Sequence, residues 1–233
     1  MRAILFDFDG TIADTQDAFL TIVNRLAPEF GYPSVDQGQL AYLKTLSSGE
    51  VIRYARISPL KIPFILKRLK KELGKTITEL QPYPGVASML TALKSQGYFL
   101  GIVTSNSQEN VLAFLAKNEL DGLFDVIHSG TTLFGKNRII NRLLRERRLP
   151  AETVIYVGDE TRDVVAAQRS HITMVAVGWG FNSPGILMEY HPDYLIYDPQ
   201  ELLAIIIKLE QRSPIPAINY KSSVIGHHQP TEN

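Results

Sequence analysis

The 233-residue sequence contains no cysteine, which excludes thiolate metal sites, disulfides and cysteine nucleophiles. It also lacks a net charge: 24 basic side chains face 24 acidic ones, so nothing draws the chain as a whole to nucleic acid or an anionic membrane. Long hydrophobic runs are missing too. The apolar stretch Leu202–Ile207 falls far short of the roughly 18 residues a membrane span requires. The opening segment is short and interrupted by aspartates, unlike a secretory signal, so a soluble, cytoplasmic protein is expected. No internal repeat occurs. Gly178-Trp-Gly180 lacks the third glycine of a dinucleotide fingerprint and sits in the wrong context.

What is present is a hydrophobic fraction of 45%, ample for one domain carrying a sizeable insertion. Short apolar runs at Ala3–Phe6, Phe99–Thr104, Val126–His128, Val154–Val157 and Met174–Val177 each end in a polar or glycine cluster. Helical patterns at Val86–Gln96, Gln108–Asn118 and Lys136–Arg147 separate most of them. This alternation predicts an α/β fold, a doubly wound parallel sheet, with ligand chemistry at the carboxyl ends of its strands. Between Asp14 and Tyr83 no strand pattern appears. Ile62, Ile65, Leu66, Leu69 and Leu73 recur there at helix spacing, with Lys67, Arg68, Lys70 and Lys71 on the other face, the pattern of a helix with one face in a core. The expected organisation is a core from 1–13 and 84–210, a helical cap over 14–83, and a disordered tail over 211–233, which holds three prolines and few apolar residues.

Four polar clusters fall at predicted strand ends. In the first, Asp7 and Asp9 lie two apart in Asp7-Phe-Asp9-Gly-Thr11. Alternation puts their like charges on one side of an extended chain, which a cation or a shared proton relieves; an Asp-Gly turn is the bland alternative. The second is Thr104-Ser105-Asn106, whose hydroxyls and backbone N–H groups suit phosphate oxygens, although Asn106 or Ser107 serves equally as a helix cap. The third is Lys136, opening a helix after Phe134-Gly135, where a lone lysine is also a common solvated side chain. The fourth, Gly158-Asp159-Glu160-Thr161-Arg162-Asp163, sets two carboxylates about one helical turn apart, fit for a hard cation or simply for a helix start.

In this order, with a helical insertion behind the first cluster, these motifs resemble the haloacid dehalogenase superfamily over roughly residues 1–210, most closely its phosphoglycolate phosphatase-like members. Trp179-Gly-Phe-Asn-Ser183 is similar to a segment of that group. The resemblance implies a phosphatase of small phosphorylated metabolites, with phosphoglycolate as the first candidate. Asp7 is then the nucleophile, and Asp9 the acid that protonates the leaving alkoxide and later deprotonates water. Mg²⁺ binds Asp7, the backbone carbonyl of Asp9 and Asp159, with Asp163 close by. Thr104, the Ser105 N–H and Lys136 hold the transferring oxygens. Relatives often have a small residue where Glu160 stands, so Glu160 either reaches the metal or points into solvent. The acid at Asp9 argues against dehalogenation, because a halide leaves without a proton. A phosphosugar mutase and a catalytically silent binding protein are the alternatives. Within the cap, Lys44, Ser47, Ser48 and Arg53 are the substrate-reading candidates, around a Thr45–Gly49 stretch that is equally an inter-helix turn.

Overall fold

A computed structural model describes residues 3–129 and 135–212. Six parallel strands form one sheet: β1 (Ala3–Phe6), β2 (Phe99–Val103), β3 (Val126–His128), β4 (Val154–Gly158), β5 (Thr173–Val177) and β6 (Tyr194–Ile196), in the spatial order β3-β2-β1-β4-β5-β6. All pairings are parallel, with Ala3 opposite both Phe99 and Val154. β1, β2 and β4 are buried along their whole length, which explains why they read as continuous apolar runs rather than alternating ones. Successive side chains of β1 still divide between the faces. Ile4 and Phe6 join a core with Leu90, Leu100 and Phe114, while Ala3 and Leu5 join a second core with Ile140, Tyr156 and Val164.

The predicted strands match closely. β6 was not among them: it has three residues at the sheet edge and only Ile196 is fully buried, so it leaves no apolar run to read. Of the tail, Gln211 and Arg212 close the last helix, and the remainder lies outside the described residues. Phe134 lies outside them as well.

Between β1 and Gln81 the described chain is helical: α1 (Gln16–Phe30), α2 (Gln37–Leu43), α3 (Ser48–Tyr54) and α4 (Ile62–Leu73), with two short 3₁₀ turns. α4 packs on α1, turning Ile65, Leu69 and Leu73 inward as their spacing predicts. The chain leaves and returns through one doorway. Asp14 N–H donates to Gln81 O and Tyr83 N–H to Ile12 O, both at 3.0 Å. The core helices are α5 (Val86–Ser95), α6 (Gln108–Lys117), α7 (Lys136–Arg147), α8 (Thr161–Arg169), α9 (Pro184–Glu189) and α10 (Glu201–Arg212).

The strand order places the site. From β1 the sheet grows one way through β2 and β3 and the other way through β4 to β6, so crossovers diverge on either side of β1. A doubly wound sheet opens a crevice at such a switch, beyond the carboxyl ends of the strands. Asp7 follows the last residue of β1, and Asp159 the last residue of β4.

Candidate active site

The backbone of Asp7 continues the sheet, donating from its N–H to Val157 O at 2.9 Å, and its side chain is buried. Oδ1 accepts the Phe8 N–H at 2.8 Å. Oδ2 lies 2.5 Å from Lys136 Nζ, an ion pair off the hydrogen-bonding direction, so this buried oxygen has no hydrogen-bond partner. Lys136, at the first position of α7, is no solvated side chain: it is buried and also donates to Asp163 Oδ1 at 2.6 Å. Burial works against its charge, but Asp163 and Asp7 outweigh that and raise its pKa.

The chain turns sharply after Phe8, and Gly10 (φ +76°) is required at that turn. A side chain there would be in left-handed backbone and would run into the Asp159 carboxylate and the Phe181 ring. The same turn lets the Thr11 hydroxyl donate to Asp159 Oδ1 at 2.7 Å, and Phe181 N–H reaches Asp159 Oδ2 at 2.7 Å. Asp159 is fully buried and no cation pairs with it among the described residues; burial, Glu160, Asp7 and Asp163 together push its pKa well up. Asp163 accepts the Glu160 N–H at 3.1 Å. Burial lifts it to about 6, with Lys136 pulling the other way.

Asp7, Asp159 and Asp163 each offer an oxygen within 4.8 Å of the others, all three buried. Lys136 pairs with Asp7 and Asp163 but not with Asp159, which leaves negative charge uncompensated, and Asp7 Oδ2 accepts no hydrogen bond. An all-oxygen donor set of this kind fits a small hard dication such as Mg²⁺.

Asp9 stands apart from that group. Asn106 Nδ2 donates to both of its oxygens, at 3.0 and 3.1 Å. The Asn106 amide is held in turn by Ser107 N–H (2.8 Å) and Asn110 Nδ2 (2.9 Å) on its Oδ1. Ser107 is the residue that caps α6, which leaves Asn106 to face Asp9. Burial and the nearby Asp7 charge raise Asp9 to about 7, against the opposing pull of Asn106, Arg162 and Lys136, so it can hold a proton near neutrality. Thr104 is buried at the end of β2 with its hydroxyl accepting the Asn106 N–H at 3.0 Å, and Ser105 lines the adjoining cavity.

That cavity, about 830 Å³, lies between the helical insertion and the core. Asp9, Ser105, Asn106, Glu160 and Arg162 form its core wall, and leucines, isoleucines and valines of α1 to α4 form much of the rest. Of the insertion candidates, Lys44 lines it and donates to Gln16 Oε1 at 2.5 Å. Ser48 lines it too, and its hydroxyl donates to Glu160 Oε2 at 2.9 Å. Ser47 caps α3 in a reciprocal box with Glu50 and borders a smaller cavity of about 250 Å³ beside Lys136. Arg53 is not brought to the site: its side chain is 78% exposed, 3.9 Å from Glu50. Glu160 neither joins the carboxylate group nor points freely into solvent, being bound by Ser48 and by Arg162 Nη2.

Asn106, Arg162, Lys70 and Asn182 were not singled out from the sequence as site residues. Asn182 lies in the Trp179–Ser183 segment, accepts Thr161 N–H at 2.9 Å and donates to Leu46 O at 2.9 Å, tying α8 to the insertion. Asn106, Arg162 and Asn182 lie within segments read for other residues, and Lys70 lies on the basic face of a helix read for its apolar stripe.

Comparison with known proteins follows the same lines. The family described as haloacid dehalogenase-like hydrolase matches residues 4–177. A phosphoglycolate phosphatase of Synechococcus elongatus is 41% identical over 209 residues, 90% of this chain and 99% of that protein. Another, from Xanthomonas campestris pv. campestris, is 29% identical over 211 residues, 86% of this chain and 94% of that one. Among solved structures, a haloacid dehalogenase-like family hydrolase of Streptococcus pneumoniae gives a TM-score of 0.73 at 26% identity, covering 88% of this chain and 98% of its own.

Proposed function

The chain belongs to the haloacid dehalogenase-like hydrolase family, and on that premise we propose that it is a Mg²⁺-dependent phosphatase of small phosphomonoesters, with 2-phosphoglycolate the first substrate to test. The observation that carries this reading is the pairing of two dissimilar aspartates at the end of β1. Asp7 offers a buried oxygen with no hydrogen bond inside the carboxylate group, and Asp9 is held beside it by Asn106.

Asp7 attacks phosphorus, the ester P–O bond breaks, and the phosphoryl group rests on the Asp7 carboxylate. Covalent catalysis of this kind divides one difficult hydrolysis into two easier steps. Asp9 donates its proton to the departing alkoxide. It then takes a proton from the water that attacks the aspartyl-phosphate, and inorganic phosphate leaves. Lys136, fixed between Asp7 and Asp163, and the Thr104–Ser105 strand end meet the transferring oxygens, where charge is spread in the transition state. Asp7, Asp159, Asp163 and the Asp9 carbonyl would hold Mg²⁺, which when bound would supply charge neutralisation for the carboxylates and the incoming phosphate dianion. Residues 14–83 act as a cap that shuts bulk water from the intermediate.

Phosphate release from 2-phosphoglycolate, measured with Mg²⁺ and with excess chelator, tests the reading. Activity is expected only with the metal, and Asp7→Asn is expected to remove it by roughly three orders of magnitude or more. Undiminished turnover in Asp7→Asn would sink the assignment of the nucleophile.

A further inference from the structure

The proposed chemistry leaves Trp179–Ser183, the segment shortly after β5, without a task. It lies directly on the carboxylate group. A side chain at Gly180 would begin 2.2 Å from Asp159 Cβ, so the segment packs on that aspartate without slack. Phe181 N–H holds Asp159 Oδ2, and Asn182 N–H reaches Asp159 O at 3.3 Å. The same five residues also hold the insertion. Asn182, itself buried, donates from Nδ2 to Leu46 O at 2.9 Å. Ser183 N–H donates to Lys44 O at 2.8 Å, and Trp179 O accepts Gln16 Nε2 at 2.7 Å.

A second link has the same build. The Ser48 hydroxyl, on the insertion, donates to the Glu160 side chain, while Glu160 N–H donates to Asp163 Oδ2. The two links are themselves joined, because Asn182 Oδ1 accepts the Thr161 N–H. In each, the backbone N–H that holds a carboxylate belongs to, or adjoins, the residue whose side chain holds the insertion. Crowded like charges move apart unless fixed donors keep them together. The end of β4 fixes where Asp159 starts, but its carboxylate is aimed by the Thr11 hydroxyl and the Phe181 N–H. Partners that orient cation ligands in this way are commonly worth about 10- to 100-fold in cation affinity.

We propose that Asn182 is a positioning residue, with the Ser48–Glu160 link as its companion. Together they make the aim of Asp159 and Asp163 depend on the seating of residues 44–48, so that a bound dication and a seated insertion favour each other. This rests on the carboxylate group taking Mg²⁺ and not on which ester is hydrolysed. Linkage makes the effect reciprocal: the factor by which seating tightens the ion is the factor by which the ion tightens the seating. The ion alone therefore draws the insertion down before any ester arrives.

The test uses the full chain and Mg²⁺ alone, with no ester present. Calorimetric titration gives the Mg²⁺ Kd, and amide hydrogen exchange follows peptides spanning residues 43–51 and 179–186. Saturating Mg²⁺ is expected to slow exchange in both peptides by about tenfold. Asn182→Ala is expected to raise the Kd about tenfold and to abolish the slowing over 43–51. Ser48→Ala removes a hydroxyl that touches none of Asp7, Asp159 and Asp163. It is expected to raise the Kd about threefold, with Ser48→Thr restoring it. An unchanged Kd in Ser48→Ala would mean that Asn182 merely supports Asp159 from the core, and would overturn the proposal. Should Asn182→Ala not fold, the Ser48 variants and exchange in the unaltered protein decide. Mg²⁺ that binds without slowing exchange over 43–51 overturns this inference and leaves the metal site standing. No Mg²⁺ binding at all removes both.

Discussion

Gly10 shows how narrowly a single residue can define the site. Its positive φ and its contact with the Asp159 carboxylate are separate reasons against a side chain. Gly10→Ala is expected to lower Tm by several degrees and kcat by about 100-fold, because the added methyl pushes Asp159 away from the Thr11 hydroxyl. Thermal melting and steady-state rates on one preparation check both effects. Asp7, Asp9, Asp159 and Asp163 were legible in the sequence because each stands in a local motif next to an apolar strand. Lys136 was legible only through the order of the motifs, since nothing local distinguishes a buried lysine from a solvated one. Asn106, Arg162 and Lys70 were not legible as site residues. Asn106 looked like one of two possible caps, and only the fold reveals that Ser107 takes that role. Lys70 belonged to a basic helix face that in isolation reads as solvated.

Whole elements follow their periodicity where they bury an apolar stripe and escape it where they do not. α4 was visible from five apolar residues, whereas α2 and α3, of seven residues each with none buried, left only the absence of strand pattern to read. What the stripe on α4 does not show is Glu72. Its side chain, 4% exposed, receives Lys75 at 2.7 Å, Arg25 of α1 at 2.5 Å and Arg68 at 3.2 Å. The hydrogen bond from Lys75 and the surrounding cations lower its pKa below the ordinary 4.5. A carboxylate depressed in this way stabilises the fold above its unfolded-state value, and that contribution disappears as pH falls through the lower folded-state value. Glu72→Gln is therefore expected to lower Tm at pH 7, and the gap between the two proteins should narrow below about pH 4.5. Melting curves taken in steps from pH 7 to pH 3 would expose a constant gap, which would contradict this account.

At the scale of the whole molecule, two bodies of different construction meet over one pool of charge. The doubly wound sheet was legible throughout its interior strands because parallel burial makes each an unbroken apolar run. The doorway, the cavity and the links from Asn182 to Leu46 and from Ser48 to Glu160 were not, since their hydrogen bonds join residues 67 to 136 positions apart. The uncompensated carboxylates make the folded state one that a dication should favour. Added Mg²⁺ is expected to raise Tm with a logarithmic dependence on concentration, about 2.7 kcal/mol of stabilisation at one hundred times Kd. Asp159→Asn should remove most of that rise, and a rise of equal size in the variant would place the ion elsewhere. The doorway has a consequence of its own. Because the outgoing and returning segments are laced together at Asp14–Gln81 and Ile12–Tyr83, everything between them can be lengthened, trimmed or exchanged without disturbing one rung of the sheet. On the proposed reading, a change there alters which esters are admitted and leaves Asp7, Asp9 and Asp159 where the strand ends hold them.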